Sequence, residues 1–147
     1  MISEDKMKHI LGVARKAYNL AKLRGHNEDY AWKMWLLGYL HDIGYEFAIS
    51  PEVHAITGAK MYLRLPESTT PSDQNDPIFL AIKEHGDPDA AHQSEEWLIL
   101  NQADMLIDST GKDVGYDKRL QEIRARYGES SLQYQNAVKI VKIIKDK

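Results

Sequence analysis

Hydrophobic residues in the first third of the chain recur every three or four positions, which is the spacing of one buried helical face. From about residue 4 to the stop signal at Gly25, the stripe comprises Met7, Ile10, Leu11, Ala14, Ala17, Tyr18 and Ala21. A second stripe follows the capping residue Asn27 and comprises Trp32, Trp35, Leu36, Tyr39 and Leu40. The pattern therefore predicts two helices, the second ending near residues 41–44.

The remainder of the chain shows the same helical spacing, interrupted by loops. Ser50 and Pro51 are a start signal for a helix to about Leu65, and residues 66–77 are dense in turn formers. A short apolar segment then reaches His85, and further helices are predicted at about 94–107, 116–127 and 130–145. Because no alternating strand pattern persists, we expect an all-α, single-domain bundle of six to seven helices over residues 1–147, with the last helix packed on the others.

Composition narrows the classes of protein that remain. The chain has 147 residues, a formal net charge of −3, six histidines and no cysteine. The lack of cysteine excludes disulfides, thiolate metal sites and a cysteine nucleophile. No apolar run approaches the roughly 20 residues of a membrane span, and the first residues lack a secretory leader. A mildly acidic chain also argues against a nucleic-acid polymer as partner. These features predict a cytoplasmic protein, monomeric or homodimeric.

Six polar residues fit poorly into the helical apolar stripes: His9, His41, Asp42, His54, His85 and Asp104. A buried polar group without a partner costs about 1–3 kcal/mol. Side chains from facing helices can satisfy one another by sharing a cation. Imidazole and carboxylate ligands without thiolate favour Fe, Mn, Zn, Co or Ni over Mg. The pattern thus predicts a divalent transition-metal site.

The order of these residues resembles the HD-domain superfamily of metal-dependent phosphohydrolases, and in particular small bacterial predicted HD hydrolases. The resemblance is carried by His9 in HILGVARKAYNLA, by His41-Asp42 in LLGYLHDIGYEF, by VHAITGAKMYLR and by Asp104 in NQADMLID. It covers residues from about 7 to 128. It implies an all-helical fold and metal-dependent hydrolysis of phosphate esters.

The resemblance also implies roles for individual residues. His9, His41, Asp42 and Asp104 would hold one metal ion, and His54 and His85 would hold a second ion bridged by Asp42. With a single ion, His54 and His85 would instead be free for acid–base catalysis, so Asp42, His54 and His85 are the candidate catalytic residues. Many relatives have His-His where this chain has Glu84-His85, which makes Glu84 a possible second-site ligand or base. Lys112 is a possible phosphate-binding residue.

The expected reaction is hydrolysis of a small phosphomonoester or phosphoanhydride, such as a nucleotide, by metal-activated water. Two alternatives stay open at this level. The first is a regulatory HD module that binds a metal or nucleotide without turnover. The second is a helical interaction protein with incidental histidines. His26 and His92 are expected at the surface.

Overall fold

The computed structural model describes residues 3–47 and 76–147, with side chains described for 3–42 and 76–147. Within these ranges the chain forms six helices and no strand. They are α1 (Glu4–Leu23), α2 (Glu28–Phe47), α3 (Pro77–Lys83), α4 (Glu95–Leu106), α5 (Tyr116–Tyr127) and α6 (Leu132–Lys145). The all-α prediction is confirmed. The predicted helix at 50–65 and the loop that follows it lie outside the described residues, as does His54.

Side-chain caps fix where several of these helices begin. Ser3, Asp76, Ser94 and Ser131 each accept a backbone N–H of the first turn. The cap of α6 is Ser131, one residue after the predicted start of this helix at about residue 130. None of the helices in the described part of the chain is long and apolar enough to cross a membrane.

The second helix is longer than its pattern predicted. It continues to Phe47 instead of ending at residues 41–44, so the expectation that His41 and Asp42 sit at a helix end is wrong. Gly44 does not break the helix, because a single glycine costs only about 1 kcal/mol relative to alanine in a helix interior. His41 and Asp42 consequently project from regular helical backbone.

Close packing of α1 on α2 sets the position of the histidines. A Cβ added at Gly38 of α2 would lie 2.7 Å from the Cα of Ala14 on α1. The main core lies where α1, α2, α3 and α4 meet, and its largest buried members include Trp97, Met34, Leu37, Ile82 and Leu100. A smaller cluster joins α4, α5 and α6 through Met105, Ile123, Ala137, Ile140 and Val141. The last helix is thus packed against the preceding ones.

Candidate metal centre

His9 projects from the buried face of α1 toward α4. Its Nδ1 lies 2.9 Å from the backbone oxygen of Asp108, and its Nε2 lies 3.0 Å from Oδ1 of Asp104. Because a carbonyl oxygen can only accept, Nδ1 carries the hydrogen. The other ring nitrogen, Nε2, therefore faces the Asp104 carboxylate at hydrogen-bond distance.

His41 has the same arrangement on α2. Its Nδ1–H donates to the Gly38 carbonyl 2.5 Å away, and the side chain is fully buried. Its Nε2 lies 3.2 Å from Oδ2 of Asp42 and 3.5 Å from Oδ1 of Asp104. Neither approach has hydrogen-bond geometry, so Nε2 is buried without a hydrogen-bond partner among the described residues. A buried polar atom in this state requires an explanation.

The two carboxylates close the cluster from α2 and α4. Oδ2 of Asp42 also lies 3.7 Å from Nε2 of His9. Arg119 of α5 donates from Nε to the backbone oxygen of Asp104 at 3.1 Å, and its Nη2 lies 3.7 Å from Oδ1 of that residue. Helices distant in sequence thereby bring their polar side chains to one point.

These four residues are arranged as a metal site. His9, His41, Asp42 and Asp104 each offer one ligand atom, and the four atoms lie within 4.8 Å of one another. Metal-bound histidines usually donate their second N–H to a carbonyl or carboxylate, as both rings do here. A cation at the centre would also give Nε2 of His41 the partner it lacks. The donor set, two imidazoles and two carboxylates, fits a divalent cation.

The charges of the cluster are strongly coupled in the metal-free state. Burial alone would lower the pKa of His41, but the carboxylates of Asp42 and Asp104 outweigh it and raise that pKa to about 10. Burial alone would raise the pKa of Asp104, but His41 and His9 hold it well below its usual value. Two carboxylates at this depth thus need positive charge beside them.

His85 lies next to this group, beyond the end of α3. Its Nδ1–H donates to the Ile82 carbonyl at 2.6 Å, and its Nε2 lies 3.6 Å from Oδ1 of Asp42. Its ring packs edge-on against the ring of His41 with centroids 5.2 Å apart. Asp42 therefore directs one oxygen toward the four-residue cluster and the other toward His85.

Glu84 and Lys112 were predicted as further site residues. Both carboxylate oxygens of Glu84 contact His92, at 2.6 Å from its Nδ1 and 3.1 Å from its backbone nitrogen. Lys112 is exposed, and its backbone N–H donates to Oδ1 of Asp108. A role for either residue stays a prediction, as does any role for His54. The sixth histidine, His26, pairs with Glu95 at 2.9 Å and is not a member of the cluster.

Sequence reasoning missed two cations that contact the cluster, Arg119 and Lys6. Nζ of Lys6 lies 2.9 Å from Oδ2 of Asp42. One available signal was its position three residues before His9, which places both side chains on the same face of α1. Arg119 had no comparable signal, because arginines on an exposed helix are common.

Comparison with known families agrees with this geometry. A family model described as the HD domain matches residues 7–144. The chain belongs to the HD domain family. No curated protein and no solved structure matches it. HD domains are helical, bind divalent metals and are typical of metal-dependent hydrolases. The resemblance seen in the sequence is thus confirmed at the level of the family.

Proposed function

We propose that this HD domain is a metal-dependent phosphohydrolase that acts on a small phosphomonoester or phosphoanhydride. The observation that carries the proposal is the buried Nε2 of His41, which faces two carboxylates and has no hydrogen-bond partner among the described residues. An apolar side chain would fill this volume at lower cost, so a histidine here is best explained by a ligand.

A bound divalent ion would supply Lewis acidity, which activates water and neutralises phosphoryl charge. The chain's own residues hold the ligand atoms in place. Backbone carbonyls of Asp108 and Gly38 fix the ring orientations of His9 and His41. Phosphoryl transfer depends mainly on such positioning and on charge neutralisation, with little covalent work by the protein.

We propose His85 as the acid–base group or as a ligand of a second ion. Its ring is oriented by the Ile82 carbonyl, and its Nε2 faces Asp42 at 3.6 Å. An imidazole can give a proton to a leaving group or take one from water, which suits this position beside Asp42. His54 retains the role that the family resemblance implies.

The net charge of the chain and the metal chemistry of the site indicate the substrate class, a small phosphorylated anion. A net charge of −3 suits a small anion held through a metal better than a nucleic-acid polymer. A nucleotide is the first substrate to test, and we propose that the protein meets it in the cytoplasm, as a monomer or homodimer.

The test combines metal content with turnover. Protein purified without chelator or affinity tag is analysed for Fe, Mn, Zn, Co and Ni, then assayed against nucleotides and simple phosphate esters with each ion and with Mg. We expect near-stoichiometric metal in the wild type, and loss of both metal and turnover in Asp42→Ala. Asp117→Asn, an exposed aspartate on α5, is the matched control and should retain both.

The outcomes separate the alternatives. Bound metal without turnover on the whole panel would indicate the regulatory HD module. Absence of stoichiometric metal would contradict the proposal and favour a helical interaction protein.

A further inference from the structure

Lys6 lies beside the candidate metal centre. Its backbone N–H donates to Oγ of the capping residue Ser3 at 3.1 Å, which fixes the first turn of α1. Its Nζ lies 2.9 Å from Oδ2 of Asp42. That same oxygen lies 3.2 Å from Nε2 of His41, inside the cluster. The ammonium therefore borders the position that a metal ion would take.

Lys6 is also more accessible than the candidate ligands of the cluster. Its side chain is 31% exposed, compared with 21% for Asp104, 10% for Asp42 and 4% for His9. Of the side chains that contact the two carboxylates, the Lys6 ammonium is therefore the most accessible to a small anion in solvent.

Other cations are less suited to meet such an anion. Among the described residues, the lysine and arginine side chains within 4 Å of the Asp42 and Asp104 carboxylates are Lys6 and Arg119. Arg119 is 14% exposed and already donates to the backbone of Asp104 and to Glu122. Its guanidinium is thus engaged in holding α5 to the end of α4.

The balance of charge between a bound metal ion, the two carboxylates and an incoming phosphate provides a role for Lys6. A divalent ion neutralises the two carboxylates, Asp42 and Asp104, and leaves little net charge to hold a phosphate of nearly two negative charges. The ion and the ammonium also repel each other at the same oxygen of Asp42. Both effects favour movement of Nζ from Asp42 onto the incoming phosphate.

We propose that Lys6 is a phosphate-binding residue of this site, whose ammonium exchanges the Asp42 carboxylate for a phosphoryl oxygen of the substrate. The proposal rests on the proposed function, since it requires a metal at the cluster. Hydrogen bonds to charged groups contribute enough that removal of one should weaken phosphate binding about ten- to hundredfold.

The experiment titrates Mn²⁺ into the metal-free protein, and then inorganic phosphate into the Mn²⁺-loaded protein, by calorimetry. Lys6→Met should weaken phosphate binding about ten- to hundredfold. Its Mn²⁺ affinity should be unchanged or higher, because a competing cation has been removed. Lys6→Arg should bind phosphate within a few-fold of the wild type. Lys8→Met is the matched control, because Lys8 is 53% exposed on the same helix and pairs only loosely with Glu4, at 3.6 Å.

Several results would overturn the proposal. Unchanged phosphate affinity in Lys6→Met, or no phosphate binding by the loaded wild type, would remove Lys6 from the site while leaving metal binding intact. A parallel loss of Mn²⁺ affinity in folded Lys6→Met would show that Lys6 only positions Asp42. Failure of the wild type to bind any of the divalent metals would overturn the proposed function together with this inference. Circular dichroism establishes that each variant is folded.

Discussion

At the scale of single residues, His85 depends on two side chains of α4 for its position. It lies beyond the last residue of α3, so regular helical hydrogen bonds do not hold it. Nε1 of Trp97 donates to the Glu84 carbonyl at 3.0 Å, and Oδ1 of Asn101 accepts the Gly86 N–H at 2.9 Å. The turn containing His85 is therefore fastened on both sides to the core.

Asn101→Ala should consequently lower the free energy of unfolding by about 1–2 kcal/mol, because two hydrogen bonds of a buried amide are lost. Urea denaturation with EDTA present measures this. Gln121→Ala, at an exposed position on α5, should change stability by no more than about 0.5 kcal/mol. If Asn101→Ala were as stable as the wild type, these bonds would contribute nothing net.

The sequence predicted the candidate metal ligands better than it predicted the groups that contact and orient them. His9, His41, Asp42 and Asp104 were predicted because histidines and carboxylates among apolar neighbours need partners, and the structure brings all four together. Lys6 was missed because a lysine near a helix start is ordinarily a solvated residue. The carbonyls that orient the rings were also beyond prediction, since the partner of His9 lies 99 residues away and depends on tertiary packing.

At the scale of elements, α1 is locked to the loop after α4 by contact between two glycines. A Cβ added at Gly12 would lie 2.8 Å from the backbone oxygen of Gly111 and 2.9 Å from Cγ2 of Ile107. Gly111 has a φ of +89°, and a Cβ there would lie 2.5 Å from the Lys8 carbonyl oxygen. This contact holds the Asp108 carbonyl against Nδ1 of His9.

Gly12→Ala tests whether that contact outweighs helix propensity. In an unconstrained helix interior the change would stabilise by about 0.5–1 kcal/mol. Here the new methyl meets backbone, and such overpacking costs about 1–3 kcal/mol. We expect net destabilisation in urea and weaker Mn²⁺ binding in calorimetry, because His9 loses its orienting carbonyl.

Arg15→Ala is the control for this change, since Arg15 is exposed on the same helix. It should match the wild type in Mn²⁺ affinity. Equal stability and equal Mn²⁺ affinity in Gly12→Ala would show that the loop can retreat from α1 without disturbing the site.

The bounds of the helices show which helix ends the local sequence pattern predicts and which it does not. The helix predicted to begin at about residue 94 begins there in the structure, where Ser94 caps α4 and Glu95 and Glu96 occupy its first turn. The end of α2 was not predicted, because burial of Leu40, His41 and Asp42 sustains the helix past the polar pair. Caps are local and readable from sequence, whereas continuation depends on what the helix packs against.

At the scale of the whole molecule, the four candidate ligands come from three helices. His9 is on α1, His41 and Asp42 are on α2, and Asp104 is on α4. A shared cation would connect parts of the chain up to 95 residues apart. Since these ligands would be dispersed in the unfolded chain, metal binding is coupled to folding.

Metal should therefore raise the thermal midpoint of the protein. A ligand at a hundredfold its dissociation constant stabilises the folded state by about 2.7 kcal/mol, which corresponds to roughly 5–10 °C for a chain of this size. Differential scanning fluorimetry with Mn²⁺, reversed by EDTA, measures the shift. Asp104→Asn should abolish it, because a ligand is lost, whereas His26→Gln should retain it, because His26 pairs with Glu95 outside the cluster. An equal shift in Asp104→Asn and the wild type would place the stabilising ion elsewhere on the protein.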